Sequence, residues 1–273
     1  MDIASLLAPF IPEGTLSDGQ LSQVSAYLDL LLKWNAKINL TAVRSPDEIL
    51  TRHFGESFFL AHYLSRLRPA IVIPGAARAN ASAKPRDLGF QNQKMSNSAN
   101  EQIAVDLGSG AGFPGLPLKI YAPSLAVTLI ESNQKKATFL REVIRTLKLN
   151  DINVFSSRAE AYAQAVQKAD FQNEQMSQSA NEQILVSLRA VEHFDRILPL
   201  AAQIANYKLQ ITNPQSPNHP ITQSPNLLAL LIGSSQLSTA RRLLPHFSWD
   251  APVPVPLSRS RILLFGHPLE LSS

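Results

Sequence analysis

A chain of 273 residues that is 45% hydrophobic can bury one large α/β domain or two small ones, and it carries a formal charge of +4 with a pI near 9.4. With no cysteine, disulfides and thiolate metal sites are excluded, and the six histidines show no spacing that pairs them on one helix face, so no metal is expected. No apolar run approaches the ~18 residues of a membrane span, the opening MDIASLLAPF lacks a basic leader region, and the basic balance leans weakly towards a polyanionic partner; a soluble cytoplasmic protein is expected.

The first 75 residues read as helical. Ser17 and Gln20 form a capping box, and Leu21, Val24, Leu28, Leu31 and Leu32 then fall on one face. Ser45-Pro46-Asp47-Glu48 opens a second helix, with proline at its first position. These helices are expected to pack beside a sheet rather than fold alone.

Next come two near copies of one peptide, Phe90–Ile103 and Phe171–Ile184, identical at eleven of fourteen positions. A third polar stretch, Ile211–Asn226, repeats itself internally. All three are poor in apolar residues and read as insertions. The chain around them alternates regularly. Strands are expected at Ile103–Leu107, Leu125–Ile130, Ile152–Phe155, Ile184–Leu188 and Leu227–Ile232. Helices follow at Lys135–Leu149, Glu160–Lys168, Val191–Ala205 and Ser238–Leu244, and two last strands at Val253–Leu257 and Arg261–Phe265. Leu140, Val143, Ile144 and Leu147 give the first of these helices its apolar face. Such alternation predicts an α/β fold with a doubly wound, mostly parallel sheet.

The chemistry concentrates in Val105–Gly115, VDLGSGAGFPG. A strand ends at Asp106, and Gly108, Gly110 and Gly112 follow at every second position, where bare backbone admits a close ligand. Pro114 and Pro117 lie near the start of the next helix, whose free N–H groups welcome an anion. The GxGxG spacing differs from the dinucleotide GxGxxG, and an aspartate at the strand end suits S-adenosylmethionine, which carries an amino acid's cation. Glu131 ends the second strand where an acid can accept hydrogen bonds from ribose hydroxyls.

Five segments, KWNAKINLTAV (33–43), RHFGES (52–57), DLGSGAGFPGL (106–116), SRAE (157–160) and LRAV (188–191), stand in the order found in one family. The chain resembles the bacterial RsmG/GidB family of class I S-adenosylmethionine-dependent methyltransferases, which methylate N7 of a guanine in 16S ribosomal RNA. The resemblance implies a Rossmann-like sheet with an antiparallel C-terminal strand and an N-terminal helical cap. The cap would span residues 1–75 and the methyltransferase domain 76–273, with low-complexity insertions near 76–102, 171–183 and 208–226. It implies S-adenosyl-L-methionine against Gly108 and Phe113, with Glu131, Ser132 and Asn133 around ribose and adenine. Ala159 and Glu160 would close the adenine pocket, and Arg189 would stand at the carboxyl end of strand four. Phe113, between Gly112 and Pro114, would serve as an apolar lid. Two residues depart from the family pattern. Glu56-Ser57 replaces an Asp-Ser pair, and Ile232 stands before Gly233 where a lysine is common.

Guanine N7 has a free lone pair, so attack needs no proton removed and no catalytic residue is assigned. His53 and Arg189 are the first to test. The expected partner is 16S rRNA or a small-subunit precursor, bound by a monomer at an unpaired guanine. Arg141, Arg145 and Lys148 on one helix face, with Lys33, Lys37, Arg44 and Arg52 in the cap, are candidate phosphate contacts. Alternatives are a methyltransferase with a small-molecule or protein acceptor, or a non-catalytic rRNA-binding assembly factor.

Overall fold

Alternate residues of the short apolar runs face two different cores, which is why these runs form a sheet covered on both sides. The computed structural model describes residues 2–67, 102–172, 183–189, 193–206 and 226–269. Within them, β1 (Gln102–Leu107), β2 (Ala126–Ile130), β3 (Ile152–Phe155), β4 (Gln183–Arg189) and β5 (Leu227–Gly233) lie parallel in the order β3-β2-β1-β4-β5. Beyond β5, β8 (Arg261–Pro268) runs antiparallel, and β6 (Phe247–Trp249) and β7 (Val253–Pro254) pair with it. This is the expected α/β, Rossmann-like, doubly wound sheet with an antiparallel C-terminal strand. The chain winds both ways from β1 and β4, so the crevice for a ligand opens outside their carboxyl ends.

Ala104, Val127, Leu129, Leu185, Ala229 and Leu263 face the first core. The N-terminal helices close it: α1 (Ile3–Leu7), α2 (Asp18–Ile38), α3 (Pro46–Ile49) and α4 (Glu56–Leu67), together with α5 (Gly115–Tyr121) and α6 (Gln134–Thr146). Val24, Tyr27, Leu28 and Leu31 of α2 are buried there; each such side chain contributes about 1.5–3 kcal/mol. Val105, Leu107, Ile130, Val186, Leu188 and Leu230 face the second core. It is closed by α7 (Ala159–Gln172), α8 (Phe194–Asn206) and α9 (Leu237–Leu243).

The expected capping box closes, with Ser17 N–H donating to Gln20 Oε1 at 2.9 Å. Gln20 also donates to the Ile120 carbonyl at 2.9 Å, tying the start of α2 to the end of α5. Helix α6 begins one residue early and stops short of Leu149. Asn133 caps it by accepting from Lys135 and Lys136 N–H, and Lys148 turns left-handed at φ +52°. Helix α8 starts at Phe194 after a left-handed His193, and residues 191 and 192 of its expected start lie outside the described residues. The strand expected over 253–257 is shortened to Val253–Pro254, and the chain turns away at Leu257, which is left-handed at φ +58°. Neither β6 nor the π-type turn Leu50–Gly55 was expected.

The expected division near residue 75 and most of the three polar stretches lie outside the described residues. Phe171 and Gln172, however, belong to α7, and Gln102 and Gln183 open β1 and β4. The two copies of the repeat therefore end as register partners, Gln102 beside Gln183 and Ile103 beside Ile184.

Candidate functional site

All eight residues singled out above follow or end strands at one edge of the sheet. Gly108 and Phe113 follow β1, Glu131, Ser132 and Asn133 follow β2, Ala159 and Glu160 follow β3, and Arg189 ends β4. They fall into two groups.

The first group surrounds the glycine loop. Gly108, Gly110 and Gly112 all have positive φ, at 68°, 56° and 94°. A side chain at Gly112 would strike the Tyr27 hydroxyl at 2.5 Å and Leu116, so close packing demands glycine there. Among the described residues, one at Gly110 would meet only the Gly108 carbonyl oxygen, 3.7 Å away, so the loop leaves an open cradle there. Glu131 holds this loop. Its Oε2 accepts from Gly110 N–H at 2.9 Å and its Oε1 from Asn133 N–H at 2.7 Å. A carboxylate has about four acceptor sites, so lone pairs remain for two hydroxyls. The Asn133 side-chain oxygen is already committed to capping α6. Ser132 and Glu160 are exposed, while Ala159 is buried at the head of α7.

Asp106 lies beneath the loop. Its Oδ2 accepts from Gly115 N–H at 3.2 Å and its Oδ1 from the Ser187 hydroxyl of β4 at 3.0 Å. Burial pushes its carboxyl up to about 6, against the opposing pull of those bonds.

The second group joins the cap to β4. Arg189 donates to Glu56 Oε2 at 3.0 and 3.2 Å, to the Arg52 carbonyl at 2.8 Å and to His53 Nδ1 at 2.9 Å. Arg261 shares the same Glu56 oxygen at 3.2 Å and donates to the Leu231 carbonyl at 2.8 Å. Because a guanidinium only donates, His53 Nδ1 accepts and Nε2 carries the proton, 2.6 Å from Thr41 Oγ1. Burial, then the charges of Arg189, Arg52 and Arg261, push this imidazole down to about 3. Asn35 sets Thr41 in place, accepting from its N–H at 2.9 Å and donating to its carbonyl at 3.0 Å.

Phe113 is no open lid. Its ring is 5% exposed, stacked 5.4 Å from Tyr27 and set edge-on 5.0 Å from Phe54. The aromatic surface of the cap takes it in, and Arg189 lies 6.0 Å from the ring centre. Sequence reasoning missed Tyr27, Asn35, Thr41, Ser187 and Arg261. Only the asparagine and threonine of the NLT-containing segment carried a local hint.

A family model described as GidB, rRNA small subunit methyltransferase G, matches residues 20–73 and 91–209, more than half of the chain. The chain belongs to the GidB family. Among GidB relatives, ribosomal RNA small subunit methyltransferase G of Xylella fastidiosa strain M23 is 40% identical over 141 residues, covering 52% of this chain and 50% of that protein. The protein of the same name from Xanthomonas axonopodis pv. citri strain 306 is 36% identical over 163 residues, 60% of each chain. The chain thus spans about half the length of the first of these curated relatives. A ribosomal protein L11 methylase from Lactobacillus delbrueckii subsp. bulgaricus is a structural neighbour with TM-score 0.39 and 13% identity, covering 62% of this chain and 70% of its own.

Among the described residues, no helix is long and apolar enough to cross a membrane, and no cluster of three or more His, Asp or Glu could hold a metal. The basic candidates are unequal. Arg52 is paired with Glu48 at 2.7 Å, Arg145 with Glu142 at 2.7 Å, and Arg141 donates to Ser156 Oγ at 2.9 Å. Arg44 donates to the Asn35 carbonyl at 3.2 Å. Lys33, Lys37 and Lys148 are exposed.

Proposed function

We propose that this GidB-family chain binds S-adenosylmethionine at the carboxyl edge of the sheet and methylates N7 of a guanine in 16S ribosomal RNA. The residues fit the cofactor. The open cradle at Gly110 admits a ligand against bare backbone, and Glu131 keeps acceptor capacity for ribose hydroxyls. Gly108, Ser132, Asn133, Ala159 and Glu160 line the same edge around the ribose and adenine, and Arg189 and Phe113 form its wall towards the cap. When bound, S-adenosylmethionine supplies an electrophilic methyl group.

One observation supports N7 as the acceptor. His53 has its only lone pair taken by Arg189, and burial keeps the ring neutral, so it has nothing with which to accept a substrate proton. Asp106 is turned inward to Ser187 and Gly115. Such an edge suits a nucleophile that arrives with a free lone pair, and guanine N7 is one. The protein's work is then orientation and exclusion of water. The family supports the RNA acceptor, either free 16S RNA or a small-subunit precursor met in the cytoplasm by a monomer.

The test is transfer of a labelled methyl group to 16S RNA from a strain lacking the family's enzyme, followed by strand cleavage at 7-methylguanine. A single new cleavage position is expected. Label in protein or in small molecules, with none in RNA, would overturn the reading.

A further inference from the structure

Among the described residues, Leu257 is the most exposed large apolar side chain, at 74%. It sits between β7 and β8 at φ +58°, a left-handed conformation that costs a leucine free energy which glycine or asparagine would not spend. The tip around it is tightly fixed. Val255 N–H donates to the Arg261 carbonyl at 3.1 Å and Ser258 N–H to the Val255 carbonyl at 3.2 Å. Arg261 N–H donates to Ser258 Oγ at 3.1 Å, and Ser234 N–H to the Ser260 carbonyl at 2.7 Å. Val255, 2% exposed, anchors the tip from below. A leucine is thus held outward by a hydrogen-bonded tip, with most of its surface exposed.

Its position gives this meaning. Arg261 opens β8 opposite Gly233, the last residue of β5, so the tip stands outside the carboxyl edge. That is the edge of Gly108, Glu131 and Arg189, and Arg261 itself shares Glu56 with Arg189. Arg259, two residues past the leucine, is exposed.

We propose that Leu257 is an RNA wedge, an apolar side chain that pushes between bases beside the target nucleotide while Arg259 meets the neighbouring phosphate. The inference rests on the proposed RNA acceptor. In A-form RNA, N7 faces a deep, narrow groove, so a methyl donor fixed at the sheet edge reaches it only when the base is unstacked. Rigid leucines are among the side chains that unstack bases, and a nearby cation gives the wedge a backbone to hold.

The test compares wild type, Leu257→Gly and Leu257→Trp with unmodified 16S rRNA transcript in the presence of S-adenosylhomocysteine. Leu257→Gly removes both side chain and backbone strain. It should melt no lower than wild type yet bind the transcript about tenfold more weakly, the scale of one lost base contact. Leu257→Trp should keep its affinity, and its emission, taken as a difference from wild type, should be quenched by RNA. Unchanged binding by Leu257→Gly, an unquenched tryptophan, or no binding of the transcript by wild type would each overturn the wedge. If Leu257→Gly loses RNA affinity but wild type methylates no RNA, the proposed reaction falls and takes the target nucleotide with it, leaving Leu257 an RNA contact and no wedge. If wild type methylates RNA and Leu257→Gly does so equally well, the reaction stands and the wedge falls.

Discussion

Arg189 donates from Nη2 to Nδ1 of His53 across 2.9 Å, and this bond removes the imidazole from proton chemistry. A base must offer a lone pair, and His53 has given its own to a cation 136 residues away in sequence, at the end of β4. Single-turnover methyl transfer should therefore be flat between pH 6 and 9. His53→Gln, folded and cofactor-saturated, should lose less than about tenfold in rate. A loss of ~10³ or more would mean that a proton is moved after all.

The same imidazole and Asp106 bias stability in opposite directions. For His53, a folded value of about 3 against the ordinary 6.5 means that the unfolded chain binds the extra proton, so stability rises with pH across that interval. For Asp106, a folded value of about 6 against 3.8 means that the native state binds it, so stability falls as pH rises from about 4 to 6. Each slope is roughly 1.4 kcal/mol per pH unit, and in that window they offset. Relative to wild type, Asp106→Asn should become more acid-sensitive between pH 4 and 6, and His53→Gln less so. Denaturant melts at half-unit pH steps will check this. Parallel curves for all three proteins would refute it.

Glu131 holds the glycine loop and is proposed to hold the ribose as well. Glu131→Ala should weaken S-adenosylmethionine binding by ~1.5–3 kcal/mol, the scale of charged hydrogen bonds. It should also loosen the loop, because Gly110 and Asn133 N–H lose their acceptor. Glu131→Gln keeps one acceptor oxygen and should fall between. Calorimetry that finds unchanged affinity in a folded Glu131→Ala protein would remove this residue from the site.

The parts of this molecule that could be read from sequence were the local ones. Strand runs, the glycine loop and the Ser17–Gln20 box each lie within a dozen residues, where spacing alone carries the physics. Glu131 was legible because its strand ends in register with β1, Leu107 beside Ile130. The Glu56 network was not, since Glu56 and Arg261 are 205 residues apart and only the fold brings them together. Phe113 misled for a related reason. Its loop flanks were visible, but the aromatic pocket that swallows it comes from Tyr27 and Phe54 of the cap. Strand β6 escaped because three residues are too few to show a period.

Glu56 is the joint between cap and sheet. Its side chain is 5% exposed and its Oε2 serves both Arg189 and Arg261. Glu56→Ala should cost up to about 3–5 kcal/mol, because it leaves two half-buried guanidiniums without their carboxylate. Glu56→Asp keeps the charge and should cost less. Equal stability of Glu56→Ala and wild type in urea would show that the network holds nothing.

The duplicated peptide ends where β1 and β4 begin, and Gln102 and Gln183 stand side by side at the amino-terminal edge of the sheet. The chain ahead of both strands therefore enters opposite the edge that carries Gly108, Glu131 and Arg189. A ligand outside the carboxyl ends of the strands is separated from that entry by the length of the strands themselves. Removing residues 91–101 and 175–180 shortens two connections but leaves four residues between α7 and β4, and closure entropy varies only logarithmically with loop length. The double deletion keeps Gln172 at the end of α7 and both strand-opening glutamines, so the paired register survives. Cofactor affinity and RNA methylation should both stay within about threefold of wild type, roughly 0.7 kcal/mol. A folded double deletion that binds S-adenosylmethionine normally but no longer methylates RNA would show that these peptides reach the substrate from the far edge.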